Sequence, residues 1–144
     1  MLGSVDCMHW AWKNCPKAWH GQYCGRGGDA TIVLEAVASQ DLWIWRCFFG
    51  LSGTLNDINV LQRSHLFVKL ASGDAPACNY TVNRHEYTKG CYLADGIYPA
   101  WATFVKTIPK HETKMEIHFA KVHEAARKDI ERVFGVLQSR FAIV

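Results

Sequence analysis

The stretch "TIVLEAVASQDLWIWRCFFG" (31–50) decides the fold. Two runs rich in β-branched and aromatic residues, 31–39 and 42–50, flank the polar dipeptide Gln40–Asp41. Such runs suit a pleated, buried surface, and the polar break between them is a turn signal, so the stretch predicts a pair of antiparallel strands.

Working outward, "LGSVDCMHWAW" (2–12) predicts a strand with Asp6 near its middle, giving three consecutive strands. The intervening segment 14–30 holds a proline and four glycines without a period, and reads as a loop. Past the strand pair, "GTLNDINVLQRSHLFVKLA" (53–71) changes character. Thr54 and Asn56 are candidate caps, and Leu55, Ile58 and Leu61 recur at three-residue steps, predicting short helices over about 57–64 and 65–71. Within 72–90, "NYTVN" and "HEYTKG" suggest a small hairpin. "CYLADGIYP" (91–99) predicts a fourth main strand, 91–94, ending at Asp95, and "AWATFVKTI" (100–108) a short helix. A long helix is expected from about 114 to 139, its buried face formed by Phe119, Val122, Ala126, Ile130, Val133 and Leu137. The plan is α/β, with helices packed on a mixed sheet.

The chain's 144 residues suffice for one domain with a real core, and 49% apolar with 20% charged residues describes a folded protein. The net charge of +3 excludes a polycation, so nucleic-acid binding would need a local patch. No stretch approaches the roughly 20 apolar residues of a membrane span. The first residues carry neither the basic nor the apolar region of a signal peptide. The sequence opens straight into a strand pattern and stops within the apolar "RFAIV", so it reads as a domain over 1–144 shortened at both ends. Six cysteines without a secretory signal point to reduced thiols, with Cys47 and Cys91 in core strands.

Three acids are the candidates for chemistry. Asp6 lies on the first strand, Asp95 closes the fourth, and Glu131 sits at the rim of the long helix's apolar face. In open α/β sheets ligands gather at strand ends. Carboxylates brought together repel, and a hard divalent cation relieves the repulsion. From spacing and composition alone, a solvated Glu131 or one salt-bridged to Arg127 or Arg132 is the ordinary reading of that glutamate. Asp57 is either a fourth acid or a helix cap. His9, three residues after Asp6, falls on the opposite strand face and reads as structural. Lys13, Arg26, Lys106, Lys110, Arg127, Lys128 and Arg132 are candidate phosphate contacts. Most of the six tryptophans read as core, while Trp10, Trp12 and Trp19 follow the first acid closely enough to be stacking candidates. Cys7, His9, Cys15, His20 and Cys24 offer zinc-type ligands, but without a C-x₂₋₄-C pair, which leaves a small structural zinc module as an alternative.

Four motifs in order, "GSVDCMHWAWKNCP", "GTLNDINVLQRS", "YLADGIYP" and "ARKDIERVFGVLQSRF", resemble plant transposases of the PIF/Harbinger type, within the DDE transposase and nuclease superfamily. The resemblance covers almost the whole chain. It implies an RNase H-like sheet with strands one to three antiparallel, a further strand and flanking helices. It implies catalytic acids at Asp6, Asp95 and Glu131, the last two separated by thirty-five residues, with Asp57 as a further metal acid. Two Mg²⁺ or Mn²⁺ ions, DNA as substrate, a nuclear location and a Myb-like DNA-binding partner follow from the same resemblance; homo-oligomers are left open. A domesticated, non-cleaving DNA-binding or interaction domain is the competing reading.

Overall fold

The structure, a computed structural model, describes residues 1–25, 27–73 and 77–141, apart from the side chain of Phe67. In chain order the elements are β1 (Gly3–Ala11), α1 (Lys17–Tyr23), β2 (Thr31–Ala38), β3 (Ile44–Ser52), α2 (Asp57–Arg63), α3 (His65–Ala71), β4 (Ala77–Val82), β5 (His85–Lys89), β6 (Tyr92–Leu93), β7 (Phe104–Val105) and α4 (Lys114–Arg140). Five strands form one mixed sheet in the order β3-β2-β1-β6-β7, and β4-β5 is a separate hairpin. Strand β2 is antiparallel to both its neighbours, β1 and β3, and β6 runs parallel to β1. The architecture is α/β, as expected.

Strand β2 is buried from Val33 to Ala38, its one charged residue Glu35 included, because helices cover it from both sides. Its odd residues share a core with α2 and α3, where Val5, Val37, Leu61, Leu66, Tyr92 and Tyr98 meet. Its even residues share a second core with α4, where Trp10, Leu34, Ala36, Ile130, Val133 and Phe134 meet. Burying each such side chain stabilises the fold by about 1.5–3 kcal/mol. Both helices that frame the site begin on side-chain caps. Asn56 Oδ1 accepts from Asn59 N at 2.9 Å at α2. At α4, Thr113 and Glu116 form a reciprocal capping box.

Gly3 sets the entry to the parallel pair. Its φ is +145°, and a Cβ there would lie 2.6 Å from the Ala38 carbonyl oxygen. Only glycine fits that approach.

The differences from the sequence expectations have local causes. The segment 14–30 contains α1, which buries no residue and so offers no apolar period to read. Residues 100–108 form no helix; they contribute the two-residue strand β7 within turn and irregular chain. Tyr92 N donates to Thr103 O at 2.8 Å and Ala94 N to Val105 O at 3.1 Å, so pairing with β6 overrides local propensity. On α4, Phe119 and Val122 are exposed, and the buried face runs through Ala120, His123, Arg127, Ile130, Val133 and Phe134. Cys47 is exposed and Cys91 half-buried, since β3 is an edge strand, and all six cysteines are free. Trp19, Trp43 and Trp45 are exposed rather than core. Among the described residues no helix is long and apolar enough to cross a membrane.

Candidate functional site

Register brings two acids together. Ser4 pairs with Leu93 across the parallel β1–β6 ladder. Two residues further along each chain stand Asp6 and Asp95. Strand alternation puts both on the face of Ser4 and Leu93, because Tyr92 and Ala94 point into the opposite core. That face is covered by α4: the Ser4 hydroxyl donates to the Ala126 carbonyl at 3.3 Å. One helical residue later, Arg127 reaches both acids. Its Nη2 lies 3.5 Å from Asp6 Oδ2 and its Nη1 3.6 Å from Asp95 Oδ1. A single guanidinium thus spans the pair. Its third contact is Glu124 Oε2, at 3.6 Å.

The loop after Asp95 is pinned. Tyr98 N donates to the Asp95 carbonyl at 3.2 Å, and Lys106 Nζ donates to the carbonyls of Gly96 and Tyr98 at 3.2 and 2.8 Å. The Tyr98 side chain is fully buried, with its hydroxyl 3.4 Å from Cys7 Sγ. Burial pushes that thiol up, so Cys7 is a neutral core group.

Burial also raises the Asp6 carboxyl above its ordinary value. The Cys7 amide and Arg127 oppose the shift, while the negative fields of Asp57 and Asp95 add to it. Asp57 behaves alike: burial raises it, His9 opposes, and Asp95 adds. Three carboxylates therefore feel one another at the end of the parallel strands. Asp57 is the first residue of α2 and Asn56 is its cap, so capping is not the role of Asp57.

Glu131 is placed differently. It is exposed on α4, and among the described residues it makes no hydrogen bond or ion pair. The expected bridges to Arg127 or Arg132 do not form, because Arg127 turns to Asp6 and Asp95 and Arg132 pairs with Asp129 at 2.7 Å. Helical spacing nonetheless sets Glu124, Arg127 and Glu131 along one side of α4, with a glutamate about one turn either way from the arginine. Sequence reading missed Glu124, although its three-residue spacing from Arg127 was the available signal.

The other candidates scatter. His9 is exposed, with Nδ1 3.4 Å from Thr31 Oγ1. Cys7, His9, Cys15, His20 and Cys24 do not gather into a metal group, and neither do the expected metal acids Asp6, Asp57, Asp95 and Glu131: among the described residues no three His, Cys, Asp or Glu side chains form a group that could hold a metal. Lys106 serves the Asp95 loop, Lys13, Lys110 and Lys128 are exposed, and Arg26 lies outside the described residues. Trp10 is buried against α4.

Asp6 and Asp95 fit a hard divalent cation by donor chemistry. Mg²⁺ is commonly held by one or two carboxylates, with water and phosphate oxygens completing its shell. The Asp6 side chain is 17% exposed and that of Asp95 43%, so the pair opens to solvent on the Asp95 side. The groups around it carry an excess of negative field that Arg127 offsets.

No curated protein and no solved structure matches the chain. The family model described as "Plant transposon protein" matches residues 1–144, and the chain belongs to that family.

Proposed function

We propose that this chain is the metal-dependent nuclease domain of a PIF/Harbinger-type transposase, acting on DNA phosphodiesters in the nucleus beside a Myb-like DNA-binding partner. The reading is supported above all by the placement of Asp6 and Asp95 on one guanidinium, two residues past the Ser4–Leu93 pair of the parallel β1–β6 ladder. Asp6 and Asp95 would hold one or two Mg²⁺ or Mn²⁺ ions, with Asp57 supplying negative field nearby and Glu131 swinging in from α4 as the third acid. The bound cation would activate a water or a 3′-hydroxyl and stabilise the leaving oxygen. Arg127 then moves from the carboxylates toward the phosphate, a partner its planar fork suits. Lys106 keeps the Asp95 loop in place throughout.

The test is nicking of DNA in Mn²⁺ or Mg²⁺ by the parent chain, Asp95→Asn and Glu131→Gln. The expected result is nicking by the parent and background levels from both variants. Equal nicking by all three would overturn the assignment. A second reading, a non-cleaving DNA-binding domain, is favoured by the same arginine, because Arg127 already neutralises the pair. Absence of nicking by the parent, with DNA binding retained, would select that reading.

A further inference from the structure

Between Cys7 and Gly28 the chain carries no acid. Those residues include three of the sixteen lysines and arginines, Lys13, Lys17 and Arg26, and none of the thirteen acids. The remainder of the sequence is therefore balanced, and the whole formal charge of +3 resides in this one segment. It also holds three of the six tryptophans. A concentration of positive charge with interleaved aromatics is the footprint of a nucleic-acid contact.

The structure gives the segment a shape. β1 leads from Asp6 to Ala11, and the chain then turns into α1, a helix with no buried residue. A seven-residue helix is not stable alone, and an aromatic group holds this one. The Trp12 ring lies 6.0 Å from that of Trp19, tilted by 55°, and 5.0 Å from that of Tyr23, edge to face. The Ser52 hydroxyl donates to the Gln22 carbonyl and ties the helix to the end of β3. Trp12 and Tyr23 are half-buried in this arrangement, whereas Trp19 stays 52% exposed. Lys13, Lys17 and His20 are exposed around it, and neither lysine has an ion-pair partner among the described residues. From Asp6 to Trp12 an extended strand covers about 20 Å. That is about six nucleotide steps of a stacked strand.

We infer that Trp19, supported by Trp12, is a stacking platform for an unpaired DNA base, with Lys13 and Lys17 on the flanking phosphates. The inference takes its ligand, DNA, from the function proposed above. Base–aromatic stacking accepts any base, so this site would hold a frayed or single-stranded end without reading its sequence. The acid pair and the platform then mark two points on one strand path, the phosphate to be cut and an unpaired base about six nucleotides away.

The experiment is fluorescence anisotropy of a labelled short oligothymidylate, and of a blunt duplex of equal length, with the full chain in chelator at several salt concentrations. The oligothymidylate should bind more tightly than the duplex. Trp19→Ala should weaken it roughly ten-fold, while Trp19→Phe, which keeps a stacking face, largely retains it. The Lys13→Gln/Lys17→Gln variant should lower the log–log salt slope by about 1.4. An unchanged thermal midpoint in Trp19→Ala shows that the fold is intact. Oligothymidylate binding by Trp19→Ala equal to the parent's would overturn the inference, as would a duplex bound equally well. Chelator separates this test from the nuclease reading: stacking without nicking refutes only catalysis, and nicking without Trp19-dependent binding refutes only the platform.

Discussion

The sheet carries a buried carboxylate on each face, and the two have opposite surroundings. On the α4 face, Asp6 has Asp95 and Asp57 within electrostatic reach, a guanidinium across it, and an opening to solvent through the half-exposed Asp95. On the α2/α3 face, Glu35 is 2% exposed and accepts a hydrogen bond from Ser64 Oγ at 2.9 Å. The Arg46 charge acts on it, and no other acid does. Burial raises both groups, so a raised carboxyl does not by itself identify a site. What separates them is convergence: several acids sharing one guanidinium and an opening to solvent on one face, and a single acid tied by Ser64 to the helices on the other.

Removing the cation from the first face should have the largest effect. Arg127→Met leaves Asp6 buried against two other acids, and loss of one partner of a buried pair costs about 3–5 kcal/mol. Because Asp95 is partly solvated, about 3 kcal/mol is expected by urea denaturation in chelator. Saturating Mn²⁺ should restore part of it by binding the folded state alone. Unchanged stability would mean that Arg127 is not the counter-ion, and the contrast between the faces would collapse.

Glu35→Gln probes the other face. The Glu35 carboxyl is pushed up to about 7 by burial, against the Ser64 hydrogen bond and Arg46. The folded chain therefore holds that proton more tightly than the unfolded chain, whose glutamate titrates near 4.5. Stability contributed by Glu35 is lost as pH rises from about 4.5 to 7 and stays lost above. The shift corresponds to about 3 kcal/mol. Glu35→Gln keeps the Ser64 acceptor, so the variant should lack that slope and be more stable than the parent at pH 8. Parallel pH profiles for parent and variant would show that Glu35 is not held as described.

The fold was legible where apolar pattern and burial coincide. Strand 31–39, the helices after Asn56 and the long C-terminal helix announce themselves because each buries apolar residues, whereas 42–50 shows through its β-branched and aromatic composition although β3 buries none of its residues. It was illegible where pairing or aromatic contacts do the work, as in β7, held by β6, and α1, held by Trp12. Of the site, Asp6 and Asp95 were legible as acids on two strands, but that β1 and β6 are parallel neighbours is shown only by the structure. The role of Arg127 was not legible, because an arginine beside a glutamate on a helix reads locally as a partner of that glutamate. Only the tertiary register shows that Asp6 and Asp95 reach it across the sheet.

The finest contrast lies within α4, between the glutamates on either side of Arg127. Both are exposed, so Glu124→Gln and Glu131→Gln should each change stability by no more than about 0.5 kcal/mol. Their effects on cation binding should differ. Glu124 contacts Arg127, and under the proposed function, in which the arginine turns to a phosphate, that contact would go with it. Glu131 has no competing partner among the described residues, and under the proposed function it would be the third acid of a shell begun by Asp6 and Asp95. Calorimetric titration with Mn²⁺ should then show affinity lowered by roughly ten-fold or more in Glu131→Gln and little changed in Glu124→Gln. The reverse order would transfer the third acid from residue 131 to residue 124 and leave the acid pair on the sheet untouched.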